Sequence, residues 1–245
     1  LAREIVGLLE PLKMLNPVSR AIPLGVGPGS MCPSFGLELK PDCQWTPAES
    51  RTLDEVAALR PDPATSGLLP AMREKIERIK ALTPPEFKIY LPDRQGPFNL
   101  AHLILGNEAF VAPLVEPEKF HQAMQNITDF WIAVRRPLLG WIGPDRLSRS
   151  VWSDNIICEC SCNMISPDLY REHVLPFDLQ IAKALGRVAI HPCSGPHVFR
   201  MTLENIPGIE YTEAGSIEKT AAGAITVPDA LKEIAGRPIA LGIGQ

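Results

Sequence analysis

Residues 187–215, "RVAIHPCSGPHVFRMTLENIPGIEYTEAG", decide the fold. An apolar run, Val188-Ala189-Ile190, delivers His191 into a Pro/Cys/Ser/Gly turn. "HVFRMTLENI" follows with apolar residues at helical spacing, and "GIEYTEAG" is strand-like again. Upstream, "SPDLYREHVLPFDLQIAKALG" (166–186) begins on a serine cap with proline at the first helical position and ends on glycine. Downstream, "VPDALKEIAG" is helical and "RPIALGIG" strand-like. Helices and strands alternating with short connections predict parallel strands joined by crossover helices, an α/β fold. A doubly wound sheet and a barrel both satisfy the pattern. In either, side chains at the carboxyl ends of the strands build the site.

The chain has 245 residues, enough for one large domain over 1–245. Hydrophobic residues make up 45% and charged residues 21%, the balance of a globular protein. The formal net charge is −4 with no basic block, which argues against nucleic acid as the main partner. No apolar run reaches the ~18 residues of a membrane span, and nothing reads as a signal peptide. Six cysteines in a chain this long do not make a disulfide framework, so a reduced, cytoplasmic protein is expected. The chain opens on Leu1 within a helix-like segment and stops at Gln245 just after a strand-like one, so both ends look cut from a longer protein.

Before residue 166 the pattern is coarser. "LAREIVGLL" reads as helix up to Pro11, and residues 16–48 read mostly as loop. "SRTLDEVAAL" starts a helix with Ser50 or Thr52 as cap and acidic residues in its first turn. Residues 68–82 are helical, 87–91 a strand and 98–105 a helix. A long helix runs from Pro117 through "RRPLLGWI", and a strand is expected at 149–153. The glycine-rich "GVGPGS" (25–30) lacks the Gly-Lys-Ser/Thr ending of a phosphate loop and is not read as one.

His191 and Cys193 stand first among the chemistry-bearing residues. Imidazole and thiolate two residues apart in a turn can reach one ion, and both suit zinc. The competing reading makes His191 a packing residue at a strand end and Cys193 a small apolar one. Glu213 ends the next strand, where a carboxylate can complete a site, act as base or simply face solvent. Asp154 is expected at a strand end. Asp93 and Asn99 flank the Gly96-Pro97 turn; the alternative is that Asn99 caps the helix and Asp93 is a turn residue. Cys158, Cys160 and Cys162 alternate in "CECSC", which on an extended segment puts them on one face; a metal could touch two of them, or the run is a half-buried strand or loop. His102, His121 and His173 read as helix packing or surface residues, and His197 as a helix-start residue.

Four segments carry a family resemblance. "GPFNLAHLILGNE", "ISPDLYREHVLPFDLQIAKALG", "VAIHPCSG" and "ENIPGIEYTEAG", in this order over roughly residues 90–245, resemble segments of the uroporphyrinogen decarboxylase superfamily. The resemblance implies a (β/α)8 TIM barrel, here incomplete at both ends, and a possible homodimer. The superfamily holds true decarboxylases and methyltransferases that work with corrinoid proteins.

The decarboxylase machinery is not matched. "LGVGPG" has no aspartate where the family's "F-S-D-I-L" has one, and Leu103 falls where the pocket tyrosine belongs. The family's pocket serine falls near Asn155. The methyltransferases carry H-x-C and a later cysteine, which the resemblance puts beyond Gln245. The resemblance therefore implies a zinc- and thiol-dependent methyltransferase acting on a small molecule, with His191 and Cys193 on the metal. Glu213 and Asp154 would be catalytic, and Asp93, Asn99, Asn155 and Gln245 would line the substrate site. The methyl donor would be a corrinoid, carried on a partner protein. The alternatives are a true uroporphyrinogen decarboxylase and a non-catalytic barrel that binds a tetrapyrrole or corrinoid.

Overall fold

The computed structural model describes residues 21–24, 27–41, 43–148, 155–191, 195–213 and 225–242. The expected helix before Pro11 and strand at 149–153 lie outside them, as do Asp154, Cys193 and Gln245.

The fold is α/β. Strand β1 (Ala21–Pro23) pairs in parallel with β4 (Lys88–Tyr90), and Leu147 adds a parallel bridge to Ile89. Between them lie a short antiparallel hairpin, β2 (Leu39–Lys40) with β3 (Cys43–Pro47), and a 3-10 helix over Pro28–Phe35. The loop expected over 16–48 is thus partly ordered, around a proline-rich segment whose φ angles suit a 3-10 helix. The second sheet holds β5 (Ile156–Cys158), which the sequence did not mark, and the three strands that the closing sequence predicts, β6 (Val188–His191), β7 (Ile209–Glu213) and β8 (Ala240–Gly242), all parallel and in sequential order.

The helices follow their caps and breakers. In α1 (Leu53–Ala58), Thr52 caps the Glu55 amide while the Glu55 carboxylate takes the Thr52 amide, a reciprocal capping box. Next come α2 (Leu69–Leu82), α3 (Pro97–Leu105), α4 (Glu108–Val115), α5 (Pro117–Ala133) and α6 (Arg135–Ile142). The single long helix expected from Pro117 is therefore two, because a proline at 137 has no N–H for the Ala133 carbonyl and its ring crowds that group. The helix expected over 166–186 divides for the same reason. Pro176 sits four residues after Glu172, and the segment breaks into α7 (Pro167–His173) and α8 (Leu175–Leu185). Ser166 caps α7 and left-handed Gly186 closes α8, as the sequence predicts. The series ends with α9 (Pro196–Asn205) and α10 (Val227–Ile234).

One apolar core runs from Leu24 to Ile234. On the helix side Asn126 of α5 reaches across to α1 and donates to the carbonyls of Val56 and Ala57 at 2.9 and 2.8 Å. The same carbonyls, at the end of a short helix, also accept from the Leu59 amide at 3.3 Å and from Arg60 at 3.1 Å. Phe98 of α3 meets the rings of Phe110 and Phe120 edge-on, at centroid distances of 5.7 and 6.4 Å. Burying a side chain of that kind contributes about 1.5–3 kcal/mol. Between α8 and β6 the chain enters the sheet beside Gly208, whose positive φ of 74° and contact with the Gly186 carbonyl leave no room for a Cβ. Among the described residues no single helix is long and apolar enough to cross a membrane.

Candidate metal centre

β5 and β6 are in register so that Cys158 lies opposite His191, each the last residue of its strand. Parallel strands end on one edge, so the two side chains come together at the carboxyl rim of the sheet. Beyond Cys158 the chain does not stay extended as the alternating cysteines suggest. It turns through Glu159 into a 3-10 helix, Cys160–Met164. That turn folds Cys160 back, and the Cys158 and Cys160 sulfurs lie 3.3 Å apart. The potential donor atoms of Cys158, Cys160 and His191 all lie within 4.8 Å of one another. Cys158 and Cys162 are free thiols. Cys160 is disulfide-bonded, so a metal-bound state at this rim belongs to the reduced protein.

The donor set is chemically coherent. Two thiolates and an imidazole are the ligands that zinc takes in tetrahedral sites. His191 Nδ1 lies 2.8 Å from Glu213 Oε2, across the β6–β7 pair. A carboxylate on one ring nitrogen fixes the tautomer and turns the other nitrogen, Nε2, outward as a ligand. The Tyr211 hydroxyl also bonds Glu213, and Gly242 of β8 keeps the space clear, since a Cβ there would strike the Tyr211 hydroxyl. Burial pushes the Cys158 thiol well above its usual range, and the carboxylates of Asp93, Glu159 and Glu213 push it further the same way. A divalent cation relieves that penalty by replacing the proton.

The cysteine turn is docked on the N-terminus of α3. Gly96 N donates to the Cys158 carbonyl at 2.7 Å. Glu159 is buried and accepts from the amides of Phe98 and Asn99, at 2.9 and 2.7 Å. Asn99 accepts from both the amide and the hydroxyl of Ser161, and its own amide group donates to Gln95. His102 completes the line, with Nδ1 2.8 Å from the Ser161 hydroxyl. Gly96 has to be glycine, because a Cβ would meet the Glu159 carboxyl and, at 2.8 Å, the Cys158 carbonyl. Behind Glu159 lies Asp178 of α8, fully buried, with Tyr170 donating to it at 2.8 Å. Burial raises both carboxyl groups well above their usual range, and their mutual repulsion raises Glu159 further, so the pair keeps a proton at neutral pH.

The other sequence-predicted site residues divide. Asp93 is exposed on the loop after β4, its carboxylate accepting from the Gln95 amide at 2.9 Å and from the Gln95 side chain at 2.6 Å. Asn99 does not cap α3; it is 8% exposed and holds the cysteine turn. Asn155, expected in the substrate site, lies away from the carboxyl rim. It sits just before β5, at the amino edge of the sheet, where it donates to the Arg187 carbonyl at 2.8 Å and accepts from Arg135 at 3.2 Å. It joins strands at the end of the sheet opposite to His191. Leu103, aligned with the family's pocket tyrosine, packs against the hydrophobic core.

Of the histidines outside the rim, His121 and His173 bond each other at 2.9 Å between α5 and α7, and His197 lies in the first turn of α9. These are the packing and helix-start places expected of them. Glu159, Ser161, Tyr170 and Asp178 were not singled out from the sequence; a lone glutamate between two cysteines was the available signal.

No protein-family model matches the chain, and no curated protein matches it.

Proposed function

We propose that the protein is a zinc- and thiol-dependent methyltransferase built on a (β/α)8 barrel of the uroporphyrinogen decarboxylase type. The observation that carries the reading is the convergence of Cys158, Cys160 and His191 at the carboxyl rim, with His191 oriented by Glu213. When bound there, zinc would supply a Lewis acid that holds a small substrate thiol as thiolate, the nucleophile for a methyl group carried by a corrinoid. Cys158 and Cys160 supply the soft donors, and His191 supplies Nε2. Glu213 keeps the proton on Nδ1 of His191, and α3 holds the cysteine turn in place. The sequential parallel strands β5 to β8 with crossover helices support the barrel. Cys193, the metal ligand implied by resemblance, lies outside the described residues, as do the catalytic Asp154 and the substrate residue Gln245. The resemblance of the chain to the superfamily and a corrinoid-bearing partner belong to the same proposal.

The test starts from reduced, purified protein offered zinc. It is expected to hold about one zinc per chain, and Cys158→Ser and His191→Ala are each expected to lower that content. The loaded protein is expected to methylate small thiols from methylcobalamin, and neither variant to do so. Folded, reduced protein that takes up no zinc would sink the metal reading; zinc uptake without methylation would sink the reaction.

A further inference from the structure

We propose that Cys158 and Cys160 form a thiol–disulfide exchange couple, in which the free thiol of Cys158 takes over the disulfide that Cys160 carries. The step belongs to the oxidised, metal-free protein and stands apart from the metal reading. Cys158 is a free thiol and Cys160 is disulfide-bonded. Their sulfurs lie 3.3 Å apart, within the roughly 3–3.5 Å of a near-attack arrangement. A sulfur in a disulfide carries no hydrogen, so Cys158 is the donor in that contact. Its S–H points at the Cys160 sulfur, and the lone pair left when the proton departs points there too.

The fold holds the two sulfurs in this arrangement. Before the pair closes, the Cys158 carbonyl is fixed by the Gly96 amide at 2.7 Å. Between the two cysteines, the Glu159 carboxyl is anchored on the amides of Phe98 and Asn99 at 2.9 and 2.7 Å. Directly after Cys160, the Ser161 amide donates to Asn99 at 3.1 Å. The turn is therefore pinned on α3 on both sides of each sulfur, and the attack needs no backbone rearrangement to begin. In the step, the Cys158 sulfur, as thiolate, attacks the Cys160 sulfur. A Cys158–Cys160 bond forms as the bond from Cys160 to its present partner breaks. The partner leaves with the electron pair as thiolate and takes the proton that Cys158 gave up. One disulfide is lost and one is made, so no oxidant or reductant is consumed. Burial, which raises the Cys158 thiol, makes the attacking thiolate scarce, so the exchange is slow and is best read at equilibrium.

The whole chain is equilibrated, with a chelator present, in glutathione buffers running from fully reduced to fully oxidised. Acid stops the exchange, the chain is unfolded, free thiols are alkylated, and the disulfides are mapped by mass spectrometry. Native protein is expected to show a Cys158–Cys160 disulfide in the oxidising buffers. Cys158→Ser is expected to lose it and Cys162→Ser to keep it. Native protein in which Cys158 is alkylated in every buffer would overturn the inference, as would a disulfide that joins Cys160 to Cys162. The map of the native protein decides even where a variant does not fold. The chelator keeps metal away, so neither outcome bears on zinc uptake by the reduced protein, and the two readings can fail separately.

Discussion

Glu213 does its work at one remove. Its Oε2 sits 2.8 Å from His191 Nδ1, so it sets which ring nitrogen carries the proton. Glu213→Gln keeps an oxygen there and removes the charge. Zinc affinity is expected to fall by about tenfold, measured by competition with a chelating dye, while the fold stays intact by circular dichroism. The pH dependence follows from Cys158. Its thiol is raised by burial and by neighbouring carboxylates, so the metal-free protein holds that proton throughout the neutral range and zinc has to displace it. Affinity is therefore expected to rise with pH, about tenfold per unit for this thiol, and to weaken as acid is added. Zinc titrations at several pH values check the sign; a flat profile would mean that Cys158 is not a ligand. At this scale the sequence was half legible. His191 and Glu213 could be placed because an apolar run ending in a polar residue marks a strand end. That Cys158 stands opposite His191 is a matter of strand register, and no local pattern carries it.

The cysteine turn and the first turn of α3 form one structural unit, held through Glu159. Replacing Glu159 with alanine strands the buried amides of Phe98 and Asn99, each at a cost of about 1–3 kcal/mol. Glu159→Gln keeps one acceptor oxygen and puts an NH2 donor where the other stood, so it strands one of the two amides. Urea unfolding is expected to show a loss for Glu159→Gln that is smaller than the loss for Glu159→Ala. Equal losses would mean that the two amide bonds are not what the Glu159 side chain contributes. Element by element, the sequence was legible wherever a cap or breaker spoke locally: Thr52 with Glu55, Ser166 with Pro167, Gly186. It was misread where Pro137 and Pro176 split helices whose apolar spacing continued across the break. It was silent on Glu159, because a buried carboxylate is held there by amides from a segment some sixty positions earlier in the chain.

At the scale of the molecule, the donors come from two places in the chain, Cys158 and Cys160 at and just after the end of β5 and His191 at the end of β6, and only the fold brings all three together. A set so placed binds zinc more tightly in the native state than in the unfolded chain, so zinc is expected to stabilise the protein by mass action. At a free zinc concentration a hundred times the dissociation constant, the gain is about 2.7 kcal/mol. The melting temperature of reduced protein is expected to rise with zinc and not in His191→Ala; an equal rise in both would place the zinc elsewhere. The α/β class was legible from the alternation after residue 166, since that regularity belongs to the chain as a whole. The shape in which the sheets close was not, because a doubly wound sheet and a barrel share the same alternation. The placing of α7 and α8 between β5 and β6 also bears on time. Cys158 and His191 cannot face one another until that crossover has closed and the two strands have docked side by side. Cobalt offered to refolding protein could take thiolate from the local Cys158–Cys160 turn early, but it would gain the His191 nitrogen, and with it the final shape of its spectrum, only at that moment, so that last spectral change is a clock for a single long-range step in folding.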